Sequence, residues 1–208
     1  MQIGSGRRSN RDRTEATRAD LIRAARTLFR EKSYADTGTP EIVAAAGVTR
    51  GALYHHFADK QALFAAVVEQ EAAMVAAEVD HASPVSLPAR EALIAGSDAY
   101  LAAMRAPGRT RMLLIDGPAV LGRAAMDEID NSHGNRSLRE GLVAAMRAQS
   151  MARLPVEALT ALLAAAFDRA ALAIEAGASA EDYRAVLVAL IDGLSPAPLP
   201  STRPAPSR

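Results

Sequence analysis

The chain has 208 residues, 24 Lys+Arg against 24 Asp+Glu, no cysteine and no tryptophan, and 50% of it is hydrophobic while only 4% is aromatic. Without cysteine it can hold no disulfide framework, no thiolate nucleophile and no Cys-ligated zinc or iron–sulfur cluster. The neutral total hides an asymmetry, because residues 1–60 carry 11 Lys+Arg and 7 Asp+Glu (net +4) and residues 61–208 carry 13 and 17 (net −4).

The N-terminal stretch MQIGSGRRSNRDR has no apolar segment behind it, and the longest apolar run, Ala161 to Phe167, stops at Asp168 and Arg169. Neither a signal peptide nor a membrane span is read, and a cytoplasmic location is expected. Residues 1–13 read as a disordered basic tail and the Pro-rich residues 195–208 as a second one, since neither can bury enough apolar surface to offset ordering entropy. The basic front end is either the footprint of nucleic-acid binding, where Arg and Lys release counterions from phosphates, or the solvated face of a charged helix.

Good helix formers dominate and alternating β-branched runs are nearly absent, which predicts an all-α fold. From Thr14 to about Lys32, Leu21, Ala25, Leu28 and Phe29 form one apolar stripe with Arg18, Arg23, Arg26 and Arg30 away from it. A short second helix is predicted from Pro40 to Ala46 with Thr39 as its N-cap. Gly47 then supplies a tight turn, and Thr49 caps a third helix from Arg50 to Phe57, so the pair makes a helix-turn-helix. Leu53 and Phe57 face inward at i, i+4, leaving Arg50, Ala52, Tyr54, His55 and His56 outward. Adjacent His55 and His56 point about 100° apart on a helix, which argues against a shared metal, and no metal site is expected.

Asp59 caps a long fourth helix from Lys60 to about Asp80, and after a break at 83–88 helices are predicted at 88–106, 109–116, 118–131, 135–151, 155–177 and 179–194. The 155–177 stretch is apolar almost all round, so it is either an intrachain core helix or one covered partly by a second subunit. Paired with the last helix, the dimer reading places Leu162, Ala166, Phe167, Ala170, Ile174, Tyr183, Leu187 and Leu190 at the interface.

The stretch IVAAAGVTRGALYHHFADKQALF, Ile42 to Phe64, resembles the DNA-binding domain of the tetracycline-repressor (TetR) family of bacterial transcriptional regulators. The pattern resides in Ala46-Gly47-Val48-Thr49, Gly51, Leu53-Tyr54, His56-Phe57, Lys60 and Leu63, and it departs from the family at Thr37-Gly38-Thr39-Pro40-Glu41. The resemblance implies that Thr39, Tyr54, His56 and Lys60 contact the DNA backbone of a double-stranded operator, while Arg50, Ala52 and His55 face base edges and Gly51 lets the backbone approach closely. It divides the chain into a helix-turn-helix domain at 14–60 and a helical effector-binding and dimerisation domain at 61–194.

Beyond residue 80, Arg111 to Gly122, Glu128 to Asp130 and Leu154 to Leu163 are similar to a recurring C-terminal domain of that family, which binds a ligand and dimerises. A pocket is expected between helices 5 and 8, lined by Tyr100, Met104, Met112, Ile115, Met126, Met146 and Phe167, with Asp116 and His133 as polar candidates, although Asp116 equally suits a helix cap. The implied protein is a homodimeric repressor released by a small, largely apolar effector of unknown identity, with no cofactor. Two other readings stay open: an architectural DNA-binding protein without an effector, and a small-molecule enzyme tethered to DNA. For the enzyme the sequence offers no Ser-His-Asp order, no clustered metal ligands and no phosphate loop.

Overall fold

The computed structural model describes residues 10–84 and 86–194, and within them the chain is helical with no strand. Residues 1–9 and 195–208, most of the two expected tails, lie outside the described residues, whereas residues 10–13 are already helical. Helix α1 spans Asn10–Lys32, one turn earlier than its apolar stripe requires. An Arg11–Glu15 pair at 2.9 Å and the Thr17 hydroxyl on the Arg13 carbonyl accompany that exposed first turn.

Helices α2 (Thr39–Ala46) and α3 (Arg50–His56) form the helix-turn-helix. Thr39 is not the N-cap of α2. Gly38 takes that place, and its N–H is met by the Glu41 carboxylate at 3.4 Å, with Pro40 inside the first turn where a missing N–H costs nothing. Gly47 adopts φ 66°, the left-handed conformation that closes α2, and the Thr49 hydroxyl accepts the Ala52 N–H at 3.2 Å to open α3.

Helix α4 (Lys60–Ala82) starts at Asp59, whose carboxylate accepts the Ala62 N–H at 2.7 Å. Its first half supplies Leu63, Phe64, Val67 and Val68 to the same core as Leu21, Ala25 and Phe29 of α1, Ile42 of α2 and Leu53 of α3, so that core continues past residue 60. Phe29 and Phe64 meet edge to face at 5.1 Å there. Helix α5 (Ala89–Met104) packs along the second half of α4.

The expected 109–116 and 118–131 helices are divided differently. Helix α6 (Arg109–Arg111) runs through a π-helical turn, Met112–Asp116, into α7 (Gly117–Leu121), and α8 is Arg123–Ser132. Pro118 has no N–H to give the preceding turn and its ring crowds the carbonyl four residues back. The chain therefore widens, and the Gly117 N–H reaches the Met112 carbonyl instead. Helices α9 (Gly134–Arg147), α10 (Val156–Glu175) and α11 (Ala180–Gly193) complete the bundle, with Ser179 capping α11 through the Asp182 N–H at 3.2 Å. Leu93, Leu101, Leu142, Leu163, Phe167 and Leu187 form a second core among α5, α9, α10 and α11.

Several contacts besides α4 join the helix-turn-helix unit to the bundle. Gly108, at φ 74°, approaches α1 so closely that a Cβ would lie 2.1 Å from the Arg30 carbonyl oxygen. Around it Arg30 Nε donates to the Pro107 carbonyl at 2.8 Å, and Arg111 Nη2 donates to the last carbonyls of α1, Phe29 and Arg30, at 2.9 Å each. Deeper in, the fully buried Glu71 carboxylate of α4 is bonded by Arg26 of α1 and by Arg109 Nε at 2.8 Å, while Arg109 also reaches the Ala103 carbonyl at 2.8 Å and Glu78 at 3.1 Å.

Candidate DNA-reading helix and effector cavity

The outer face of α3 exposes Arg50, Gly51, Tyr54 and His55, and leaves Ala52 and His56 half-buried. Arg50 lies over the Tyr54 ring at 5.5 Å from its centroid. Arg50 and Thr39 lie near enough to the Tyr54 hydroxyl to lower its pKa. A Cβ on Gly51 would meet only the Thr49 hydroxyl, at 3.9 Å, so nothing inside the chain requires glycine there; the flat spot is free for a partner's backbone. His56 sits against α1, where partial burial first, then His55 and Arg18, depress its pKa and keep the ring neutral near pH 7.

Lys60 is tied into the reading head itself. Its ammonium donates to the Tyr34 and Thr37 carbonyls at 2.8 and 2.9 Å and lies 4.0 Å from the centroid of the Tyr34 ring. Two of its three protons therefore hold the α1–α2 loop, and one is left for a phosphate.

A cavity of about 1300 Å³ opens among α4, α5, α8, α9 and α10. Of the residues expected to line it, Tyr100, Met104, Met126 and Phe167 do so. The other five do not border it. Met112 is fully buried against the α1–α4 core, Met146 is buried in the second core, and Ile115 points outward at 50% exposure. Asp116 neither caps a helix nor borders the cavity; it accepts the Tyr34 N–H at 3.2 Å, a link to the helix-turn-helix unit. His133 instead meets Glu69 of α4 at 2.6 Å.

The polar groups of the cavity are ones that sequence reasoning did not select. The Tyr100 hydroxyl donates to Asp168 at 2.6 Å, and burial first, then the Asp168 charge, raise the phenol well above its ordinary range, so it stays a donor. Burial raises Asp168 too, against the Tyr100 bond and the Arg123 charge. Burial, then the charge of Asp168, push Asp130 up to about 6. One signal was visible: Asp168 is a charge set directly behind a seven-residue apolar run, on a helix otherwise apolar almost all round.

Because the folded pKa of Asp130 lies above the ordinary carboxylate value, protonation favours the folded chain and ionisation costs it stability as pH rises through about 6. Asp130→Asn is therefore expected to stabilise the protein at about pH 7.5 by ~1–2 kcal/mol, the group's remaining solvent contact included, with the gain fading toward about pH 4. Chemical denaturation of both proteins across that range checks it; a gain independent of pH would count against it.

On the far side, α10 and α11 expose Leu162 at 71%, Val186 at 59% and Leu190 at 48%. Ala166, Ile174 and Tyr183 are half-buried beside them, whereas Phe167, Ala170 and Leu187 are spent on the chain's own second core. Those three sit on the inner faces of their helices. Val186, which belongs to the exposed stripe, was not anticipated.

A short recognition helix on a three-helix head, joined by a long helix to a cavity-bearing helical body, defines a helix-turn-helix transcriptional regulator. The profile for "Bacterial regulatory proteins, tetR family" matches residues 21–67, and that for "Tetracyclin repressor-like, C-terminal domain" matches residues 90–195. The chain belongs to the TetR family and is a bacterial DNA-binding regulator. A TetR-family transcriptional regulator of Pectobacterium atrosepticum is 34% identical, with 92% of this chain and 100% of that chain covered and a TM-score of 0.74. The HTH-type transcriptional repressor AcnR of Corynebacterium efficiens is 33% identical over 79 residues, 38% of this chain and 39% of its own length. The HTH-type transcriptional activator FasR of Mycolicibacterium smegmatis is 32% identical over 97 residues, 47% of this chain and 44% of its own length. The chain thus spans about two fifths of the length of these curated relatives.

Proposed function

We propose that the chain is a ligand-responsive repressor that binds a palindromic operator as a two-fold dimer and is released by a small effector with a mostly apolar body. The observation that carries this is the double duty of α4. Leu63, Phe64, Val67 and Val68 hold the reading head, while Ala72, Val75, Ala76 and Val79 of the same helix line the cavity. A molecule that fills the cavity presses on the far end of the lever whose near end positions α3. In a dimer, two copies of α3 must lie about 34–36 Å apart to enter successive major grooves, and a tilt of α4 changes that spacing. Repression is relieved only if the effector binds the spread state more tightly than the DNA-competent one, so DNA must weaken effector binding by the same factor.

The exposed Leu162, Val186 and Leu190 stripe is the proposed dimer face, and Arg50, Gly51, Ala52, Tyr54, His55, with Thr39, His56 and Lys60, the proposed DNA contacts. A cavity of this size within the helical body supports the effector reading over a purely architectural one, and the catalytic alternative finds no triad among the described residues.

The test is fluorescence anisotropy on DNA from the chain's own promoter region at two salt concentrations, with a Leu162→Glu/Leu190→Glu variant beside wild type. Both leucines are solvent-exposed in the single chain, so the fold should change by no more than roughly 0.5 kcal/mol per site. Like charges apposed across a two-fold should nevertheless leave a monomer in sedimentation and abolish tight binding to one palindromic segment. A variant that stays dimeric and binds as before sinks the proposed face; uniform, weak, salt-sensitive binding by wild type sinks the operator-specific reading.

A further inference from the structure

The cavity is apolar over most of its wall, yet its charged lining is predominantly acidic: Asp80, Asp127, Asp130, Glu140 and Asp168 against Arg123 and Arg169. Most of these charges already have partners. Arg136 takes Asp80 at 3.1 Å and Glu140 at 3.3 Å, and Arg123 takes Asp127 at 2.9 Å on its own helix. Arg169 is exposed at the rim. What remains inside is Asp130 of α8 and Asp168 of α10, both partly withdrawn from solvent and, among the described residues, answered by no cation in contact, with the Tyr100 phenol on Asp168.

A second and independent feature lies one turn before Tyr100 on α5. Ser97 borders the cavity, is 6% exposed, and its hydroxyl has no hydrogen-bond partner among the described residues. Buried polar groups in folded proteins are ordinarily paired, so an orphan in the cavity wall can take a partner that a ligand brings. Two half-buried carboxylates, with an unpaired hydroxyl in the wall of the same largely apolar chamber, suit a ligand that brings a positive charge and N–H donors on a hydrophobic frame. An anionic ligand would meet like charge in a low-dielectric wall, and a neutral one would leave the carboxylates unanswered.

We propose that the effector of this cavity is an organic cation with an apolar body, its protonated nitrogen received by the Asp130 and Asp168 carboxylates and within reach of the Ser97 hydroxyl. Tyr100 acts as a positioning residue that fixes Asp168. The inference rests on the effector-cavity reading above and names the chemical class it selects.

Isothermal titration calorimetry of the full chain, without DNA, with n-decylammonium, n-decanol and n-decanoate below their aggregation concentrations, separates charge from chain length. The cation should bind roughly tenfold tighter than the alcohol, and the carboxylate weakest. In an Asp130→Asn/Asp168→Asn variant the cation should fall to the level of the alcohol, while unchanged alcohol binding shows that the cavity is intact. Equal binding of all three, or a preference for decanol or decanoate, overturns the cationic assignment and leaves the effector cavity standing. No binding of any of the three removes the cavity reading and the assignment with it.

Discussion

Replacing Glu71 with glutamine is expected to destabilise the protein by about 3–5 kcal/mol, a drop of roughly 6–20 °C in thermal midpoint for a chain of this size. Glu71 is fully buried and Arg109 is 5% exposed, so loss of the carboxylate charge leaves a guanidinium in the interior with only Glu78, itself half exposed, and one carbonyl to answer it. Arg26 of α1 loses its partner as well. Breaking such a pair costs far more than the pair contributes, because the uncompensated charge must be solvated by moving structure or admitting water. Arg109→Met should be milder, since Arg26 still answers Glu71, and the double variant should recover part of the loss. Thermal and chemical denaturation of the three proteins check this. A Glu71→Gln loss below about 1 kcal/mol would mean that the network is open to solvent. The same residues bridge α1, α4 and the Ala103–Arg109 segment, so the variant should also loosen the coupling between cavity and reading head.

Arg50→Ala is expected to have the largest effect on DNA recognition. A well-placed Arg on guanine is worth about 1–3 kcal/mol, and a two-fold dimer carries the contact twice, so operator affinity should fall by ~2–6 kcal/mol with little change for unrelated DNA. Tyr54→Phe keeps the ring under Arg50 and removes only the hydroxyl near Arg50 and Thr39, so its loss should be smaller and similar for all sequences. Anisotropy against the operator and against single-base variants tells the two apart. If Arg50→Ala weakens every sequence equally and flattens the salt dependence, the residue contacts phosphate and base reading falls to Ala52 or His55.

The reading head was legible in the sequence because its geometry is set within a turn or two. Thr49 and Asp59 cap their helices as their local spacing implies, Gly47 takes the left-handed turn, and Leu53 and Phe57 face inward at i, i+4. The misreadings of local structure have local causes too. Gly38 caps α2 through its backbone and Glu41, a role that a bare glycine does not advertise, and Pro118 turns one expected helix break into a π-helical widening.

The cavity followed another rule. Met104 and Met126 line it while Met112 and Met146 fill cores, and nothing in composition or helical period separates the four. Asp116 and His133 had the chemistry of pocket residues and were drawn off to Tyr34 and Glu69. Asp130, Asp168 and Ser97 come to one chamber from three helices, and Glu71 finds Arg26 and Arg109 from two others.

By itself the sequence determined the all-helical class, the helix-turn-helix and the residues it presents, because periodicity, capping and turn chemistry act between neighbours in the chain. Only the tertiary structure decided which polar groups were left facing a cavity and which apolar side chains were left outside. Those outcomes depend on the relative rotation and distance of helices far apart in sequence, and burial then converts the same carboxylate from a solvated surface charge into a group that calls for a partner.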